Sequence, residues 1–153
     1  MERVLYCFWF GDSMSDTRQQ CFNSITDNCG VSVNLISENN LKDYIVEPLH
    51  KGFEYLSSTH KSDYLRSYFM YFYGGGYTDI KKCDYNWNQY FDLLENSKKD
   101  FTSCTHKKPN EVAYSLASEI YNKMPGVNTF IFKKNTPFAK NWLAETNKKM
   151  DLI

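Results

Sequence analysis

The sequence predicts an α/β fold with an open, mostly parallel sheet and helices on both faces. Residues 4–10 form a continuous apolar, β-prone run, which is typical of a strand buried on both faces of a parallel sheet. A helical segment follows over residues 16–28, and a second short β-prone run spans residues 31–36. A chain that begins strand, helix, strand is typical of an open α/β sheet.

The first helix and its flanking strands also predict where a ligand would bind. Ser15 or Asp16 can cap the start of this helix, and Gly30 can end it. In open α/β sheets, ligands bind beyond the carboxyl ends of the strands. Those ends fall around residues 11–12 and 37–38, which we therefore expect at the binding edge of the sheet.

The middle of the chain is predicted to hold a second long helix and a short strand. A short helix is expected to begin near Pro48, and Ser62 is a suitable cap for the longer helix. Apolar side chains at helical spacing form its buried stripe, namely Leu65, Phe69 and Phe72. Residues 74–76 are three glycines that can end the helix in a left-handed turn, and residues 77–81 are predicted to form a strand.

The C-terminal part continues the alternation of helices and strands. Residues 86–96 are predicted to be helical, and residues 101–104 and 129–133 are predicted to be strands. The segment between these two strands is ambiguous. Thr136 is a cap followed by a proline at the first helical position, which predicts a last helix running towards Met150.

Length, charge and cysteine content exclude several classes of protein. A chain of 153 residues predicts a single domain over residues 1–153, long enough to bury a core. The 18 basic and 18 acidic residues balance, so we expect no nucleic-acid partner. Five cysteines without a CxxC pair indicate reduced thiols rather than a zinc knuckle. The apolar run at residues 4–10 is too short to span a bilayer, and we expect a cytoplasmic protein without an intrinsic membrane span.

Spacing alone indicates three candidate site residues. Asp63 and Arg66 lie three apart on the second helix and share a face, although such pairs are commonly solvated surface ion pairs. Phosphate-binding glycine loops lie between a strand and the helix after it. Here the glycines lie between a helix and the strand after it, which excludes a P-loop or a dinucleotide fingerprint. The glycine turn instead folds the strand that carries Asp79 back towards Asp63 and Arg66.

These residues resemble the sugar-donor signature of a group of glycosyltransferases. The matching pieces are the string Ser-Asp-Tyr-Leu-Arg at 62–66, the aromatic helix after it, Tyr-Gly-Gly-Gly-Tyr at 73–77, and Asp79. The group includes the capsular polysaccharide synthesis proteins, the Och1-type mannosyltransferases and, more distantly, the glucosylating clostridial toxins. The resemblance implies the GT-A fold, a Rossmann-like sheet that binds a nucleotide sugar. Members usually continue past the last helix, so the chain is expected to be a compact form, a truncated gene product or a fragment of something longer.

The resemblance also implies a role for each site residue. Asp63 and Arg66 would contact the sugar hydroxyls or phosphate of the donor, and Asp63 and Asp79 would be the catalytic residues. Asp79 would match the first acid of the Asp-X-Asp (DXD) motif and help to place a Mn²⁺ or Mg²⁺ ion. Gly75 and Gly76 are included among the substrate-binding residues.

The end of the first strand would line the nucleobase pocket of such a transferase. Phe8, Trp9 and Gly11 are the substrate-binding residues expected there. Trp9 or Phe10 would be the ring that stacks on the base.

Lys81, also expected to bind substrate, departs from the family pattern, which commonly has a second acid at this position. An ammonium group cannot coordinate a metal ion, but it can bind a diphosphate as a point charge. Three interpretations are open. Lys81 partly replaces the metal, another acid such as Asp84 supplies the missing ligand, or Lys81 points to solvent.

Two functions are consistent with this pattern. The first is a hexosyltransferase that moves a hexose from a UDP- or GDP-sugar to a saccharide or glycan acceptor in polysaccharide or glycan synthesis. The resemblance leans towards retention of the anomeric configuration. The alternative is a catalytically inactive nucleotide-sugar-binding module that partners an active transferase.

Overall fold

A five-stranded mixed sheet organises the described part of the protein. The computed structural model describes residues 1–112 and 115–152. The spatial order of the strands is β2-β1-β3-β5-β4. Their bounds are β1 (Val4–Phe8), β2 (Ser32–Ile36), β3 (Gly75–Thr78), β4 (Phe101–Thr105) and β5 (Pro125–Phe132).

In the described part of the chain, four α-helices flank the sheet, and capping side chains define where three of them begin. Their bounds are α1 (Asp16–Asn28), α2 (Ser58–Phe72), α3 (Asn88–Glu95) and α4 (Pro137–Asp151). The hydroxyl groups of Ser15 and Thr136 each accept a hydrogen bond from a main-chain N–H three residues later. These contacts confirm the predicted starts of α1 and α4, because a cap satisfies an N–H group that the helix itself leaves unpaired.

The sheet is parallel over its first three strands and antiparallel beyond them. β1 pairs in parallel with β2 and with β3. β5 pairs antiparallel with β3 and with β4. The expectation of a mostly parallel sheet therefore holds for β2-β1-β3 and is wrong for the other two pairings. The connection from β4 to β5 contains the 3₁₀ turns Pro109–Glu111 and Ser115–Lys123, with residues 113–114 outside the described ranges. The described parts of this connection contain no α-helix, and a connection without a crossover helix suits antiparallel neighbours.

The start of α2 differs from the expected one. The helix begins at Ser58, and the hydroxyl of Ser57 caps it by accepting a hydrogen bond from the N–H of His60 at 3.2 Å. The expectation that Ser62 is the cap is wrong because Ser57 supplies one a full turn earlier. Asp63 consequently lies in the second turn of the helix, where it gains little from the helix dipole.

Pro48 does not begin a helix. The 3₁₀ turns Leu41–Tyr44 and Phe53–Tyr55 lie on either side of it. The main-chain N–H groups of the neighbouring residues 46 and 47 donate to the hydroxyl of Tyr68, and that of residue 50 donates to the hydroxyl of Tyr64, over 2.9–3.1 Å. The hydroxyl groups of these two α2 tyrosines thus supply acceptors for main-chain N–H groups around Pro48, which a helix would otherwise have paired internally.

β3 lies two residues earlier than expected. Gly74 ends α2 with a φ of +66°, and its N–H donates to the carbonyl of Phe69 at 3.0 Å. This geometry confirms the predicted glycine stop. β3 then runs from Gly75 to Thr78 instead of over residues 77–81, so Asp79 directly follows the strand. β1 is likewise shorter than its apolar run and ends at Phe8.

The core has one layer on each face of the sheet. Along β1, Val4, Tyr6 and Phe8 pack on the face covered by α2 and α4. Leu5 and Cys7 pack on the opposite face, which α1 and α3 cover. This alternation follows from the two-residue period of a strand, and it confirms that helices lie on both faces.

The two strands that follow β1 in the sequence lie on opposite sides of it in the sheet. β2 lies on one side of β1 and β3 on the other, and α1 and α2 cover opposite faces. A crevice therefore opens between the carboxyl ends of β1 and β3. This is the topological switch point where open α/β sheets bind ligands.

The structure also describes the thiol groups and the lengths of the helices. All five cysteines are free. Burial raises the pKa of the Cys7 thiol to about 12, so it stays protonated at neutral pH. Within residues 1–112 and 115–152, no helix is both long enough and apolar enough to cross a membrane.

Candidate functional site

A polar cleft of about 370 Å³ lies at this switch point. Four elements contribute to its wall: the end of β1, the first turn of α1, the first half of α2, and the end of β3 with the residues after it. The lining residues are Phe8, Trp9, Phe10, Arg18, Ser58, Thr59, Ser62, Arg66, Tyr77, Asp79, Ile80 and Lys81.

Arg66 is the most strongly fixed charge in the cleft. Its Nη2 lies 3.2 Å from Asp63 Oδ1 and 3.4 Å from Asp79 Oδ1. Its Nη1 donates to the carbonyl of Val127 at 3.1 Å, and its Cζ lies 4.7 Å from the centre of the Tyr77 ring. The side chain is only 14% exposed, so these contacts hold the guanidinium in one orientation over an aromatic face.

Asp79 is fixed from three sides. Its N–H donates to the carbonyl of Asn128 at 2.8 Å, which joins it to β5 just beyond the end of β3. Its Oδ1 accepts a hydrogen bond from the Tyr77 hydroxyl at 2.6 Å, and its Oδ2 lies 3.8 Å from Lys81 Nζ. Burial raises the pKa of Tyr77 well above its usual value, so the phenol stays protonated and donates to the carboxylate.

The cleft carries an excess of positive charge. Arg18, Arg66 and Lys81 line it, whereas Asp79 is the one acid among the described residues that do so. Asp63 contacts Arg66 from outside the cleft, with its side chain 48% exposed, so solvent screens much of its charge. The cleft is therefore suited to an anionic ligand.

The aromatic residues at the end of β1 differ in how much surface they offer. Phe8 and Phe10 are buried, and Phe8 stacks on Tyr77 with ring centroids 5.3 Å apart. Trp9 is half-buried, and its Nε1 donates to the carbonyl of Asp12 at 2.7 Å. Of the rings proposed for the nucleobase, Trp9 is the one with a partly exposed face.

The three glycines expected to contact substrate occupy two kinds of position. Gly11 follows β1 with a φ of +96°, and a Cβ there would lie 3.0 Å from the Ser58 hydroxyl. Gly75 and Gly76 are buried within β3 and do not line the cleft. A Cβ on Gly75 would lie 2.8 Å from the carbonyl oxygen of Val4. Gly75 therefore lets β3 approach β1, and its effect on the cleft is indirect.

The donor set around Asp79 does not fit a divalent cation. Mg²⁺ at phosphate sites is held by one or two carboxylates together with substrate phosphates and waters, and Mn²⁺ likewise prefers oxygen donors. Asp79 would be that carboxylate here, but Arg66 Nη2 and Lys81 Nζ lie 3.4 and 3.8 Å from its oxygens and would repel the ion. No group of three or more His, Cys, Asp or Glu side chains could hold a metal ion within the part of the chain that is described. Both oxygens of Asp79 already face donors or cations, and Asp84 is exposed and does not line the cleft.

The structure adds residues that sequence reasoning missed. Arg18 reaches from α1 and donates to the carbonyl of Ile80. Val127 and Asn128 of β5 hold Arg66 and Asp79 through main-chain carbonyls. Any residue type can supply a main-chain carbonyl, so the sequence does not indicate these contacts. Only the position of β5 in the sheet could have indicated them.

Comparison with known families identifies the family of the chain. The sequence model of the capsular polysaccharide synthesis protein family matches residues 1–140. No curated protein and no solved structure matches the chain significantly. The family match spans the whole sheet and every residue that lines the cleft. The chain therefore belongs to the capsular polysaccharide synthesis protein family, which indicates a role in polysaccharide biosynthesis.

Proposed function

We propose that this protein is a glycosyltransferase that moves a hexose from a nucleoside diphosphate sugar to a saccharide acceptor during capsular polysaccharide synthesis. The observation that carries the proposal is the cleft at the switch point, where Arg66 and Lys81 flank the single carboxylate of Asp79. Family membership supports the same class of reaction. A GT-A fold with a modified DXD motif is part of this proposal.

The donor would lie across the cleft from β1 to β3. The nucleobase would lie against Trp9 near Gly11, and the diphosphate would lie between the first turn of α2 and the side chains of Arg66 and Lys81. Ser58 and Thr59 line the cleft from that first turn, and the start of a helix favours phosphate through its dipole and free N–H groups.

The chemistry required of the cleft is charge stabilisation. When the bond between the sugar and the diphosphate breaks, negative charge grows on the leaving phosphate and positive charge grows on the sugar ring. Arg66 and Lys81 would stabilise the negative charge on the leaving phosphate. The Asp79 carboxylate would orient the sugar hydroxyls and stabilise the positive charge on the ring. Because Tyr77 and Arg66 fix Asp79 beforehand, little reorganisation is needed during the reaction.

The acceptor would approach from the opposite side of Arg66. A second depression there is lined by residues that include Asp63, Tyr64, Arg66, Val127 and Trp142. It shares Arg66 with the donor cleft. Asp63 would then act on the sugar or on the acceptor from this side, through hydrogen bonds to hydroxyl groups.

The decisive experiment is substitution of Asp79 by asparagine in an assay of nucleotide release from UDP- and GDP-hexoses. We expect Asp79→Asn to lower turnover about 10²–10³-fold, the usual loss for a fixed electrostatic group, while nucleotide binding survives. Asp84→Asn is the matched control, because Asp84 is exposed and outside the cleft. Unchanged turnover in Asp79→Asn would contradict the proposal.

Lys81 favours one other function, a module that binds nucleotide sugars without catalysis. Its ammonium stands beside Asp79, at the position where the resemblance to the glycosyltransferase group implies an acid. Calorimetric binding of a UDP- or GDP-sugar, together with no hydrolysis and no transfer to any saccharide, would support the module and refute the transferase.

A further inference from the structure

We infer that the donor diphosphate is neutralised by the basic side chains of the cleft, with Lys81 as its direct ligand, and that nucleotide binding needs no divalent cation. This inference rests on the proposed function, since it assigns the counter-charge for the same ligand. Retention of a Mn²⁺ or Mg²⁺ ion at Asp79 is the competing outcome.

The charges that line the cleft already match those of a divalent cation. Arg18, Arg66 and Lys81 provide three positive charges, and Asp79 offsets one of them. Among the lining residues two positive charges remain, the charge of one Mn²⁺ ion, and the half-exposed Asp63 beside Arg66 offsets part of this from outside the cleft. A cation added at Asp79 would lie beside both Arg66 Nη2 and Lys81 Nζ, which stand 3.4 and 3.8 Å from the carboxylate oxygens. That repulsion opposes its binding.

The contacts of Asp79 also oppose the binding of a metal ion. A metal ion would compete with the Tyr77 hydroxyl, which donates to Oδ1 at 2.6 Å, or would lie against the ammonium near Oδ2. The first contact is a short hydrogen bond to an ionised group, which is among the stronger kinds. Among the described residues that line the cleft, no second carboxylate is present to repay that loss.

Lys81 is the cation of the cleft with the weakest contacts to the protein. Arg66 uses both Nη atoms on Asp63, Asp79 and Val127, and Arg18 holds the carbonyl of Ile80. Lys81 Nζ lies 3.8 Å from Asp79 Oδ2, beyond hydrogen-bond distance, and its side chain is 65% exposed. Its three donors can therefore turn to a bound diphosphate without breaking a strong contact.

The test is calorimetric binding of UDP and GDP to the full chain, in EDTA and in Mn²⁺. We expect Mn²⁺ to change the dissociation constant of the wild type by less than about threefold, equivalent to under 1 kcal/mol. Lys81→Asp should weaken binding in EDTA by at least about tenfold. Because it places an acid where the family commonly has one, it should regain affinity when Mn²⁺ is added.

The matched control is Lys82→Asp, which makes the same charge change at an exposed neighbour outside the cleft. We expect it to bind as the wild type does. An equal loss in both variants would show a long-range charge effect and overturn the assignment to Lys81. A thermal unfolding curve for each variant checks that it is folded.

The remaining outcomes separate this inference from the proposed function. Wild-type binding that requires Mn²⁺ overturns the inference and leaves the transferase proposal intact. Tight binding of the wild type in EDTA that Lys81→Asp retains overturns the role of Lys81. Failure of the wild type to bind any nucleotide in either buffer overturns both.

Discussion

Gly75→Ala tests whether the glycines after α2 act on the fold or on the ligand. Gly75 has a φ of +82°, and a Cβ there would lie 2.8 Å from the carbonyl oxygen of Val4. Forcing a side chain into a positive φ costs roughly 1–2 kcal/mol, and overpacking a buried site adds about 1–3 kcal/mol. We therefore expect the free energy of unfolding to fall by about 2–5 kcal/mol, a large part of the total for a single domain.

Urea unfolding followed by tryptophan fluorescence measures this change. With a typical slope for a small domain, the midpoint should fall by roughly 1–2 M urea. Gly52→Ala is the matched control, since Gly52 has a φ of −82°. The atoms nearest to a Cβ there would belong to the side chains of His50 and Met150, at 3.2 and 3.5 Å. We expect its midpoint to move much less.

One result would refute this reasoning. If Gly75→Ala unfolds at the wild-type urea concentration but binds nucleotide more weakly, Gly75 acts at the ligand. The steric account of β3 against β1 would then be wrong, and the substrate-binding role expected from the sequence would be favoured.

Two further predictions concern hydroxyl and thiol groups. Tyr77→Phe should lower the free energy of unfolding by about 1.5–3 kcal/mol, because it removes the hydrogen bond to the Asp79 carboxylate. Tyr73→Phe should cost only about 0.5–1.5 kcal/mol, because its partner is the neutral carbonyl of Tyr44; equal losses in urea unfolding would contradict this ranking. For pH, burial raises the pKa of Cys7 from 9.0 to about 12. Above pH 9 the unfolded chain loses this proton and the folded chain keeps it, so this contribution to stability is complete below pH 9 and is lost as the pH rises towards 12. The free energy of unfolding should fall by up to about 1.4 kcal/mol per pH unit from this group, and a midpoint in urea that stays constant across that window would contradict the burial of Cys7.

The local features of the sequence predicted the layout of the fold well. The apolar run at residues 4–10 predicted the central strand, and the caps Ser15 and Thr136 predicted the starts of two helices. The glycine stop at Gly74 is confirmed because a left-handed turn has few other solutions. Each of these signals depends on a few adjacent residues.

Features that depend on distant parts of the chain were harder to predict. The pattern of residues 129–133 indicated a strand but not its antiparallel direction. The glycine turn predicted that Arg66 lies near Asp79. It did not predict that main-chain carbonyls of β5 hold both residues. The choice of Ser57 over Ser62 as a cap also depended on packing, because either serine can cap a helix.

The position of β5 sets the order in which the site can form during synthesis. Arg66 and Asp79 are translated well before Val127 and Asn128, whose carbonyls hold them. Until β5 is made, the edge of β3 that it will cover has unpaired main-chain groups, which are a template for pairing with another chain. A nascent chain without β5 therefore has an incomplete site and an unpaired edge of β3. The pairing of β5 with β3 completes the site and covers that edge.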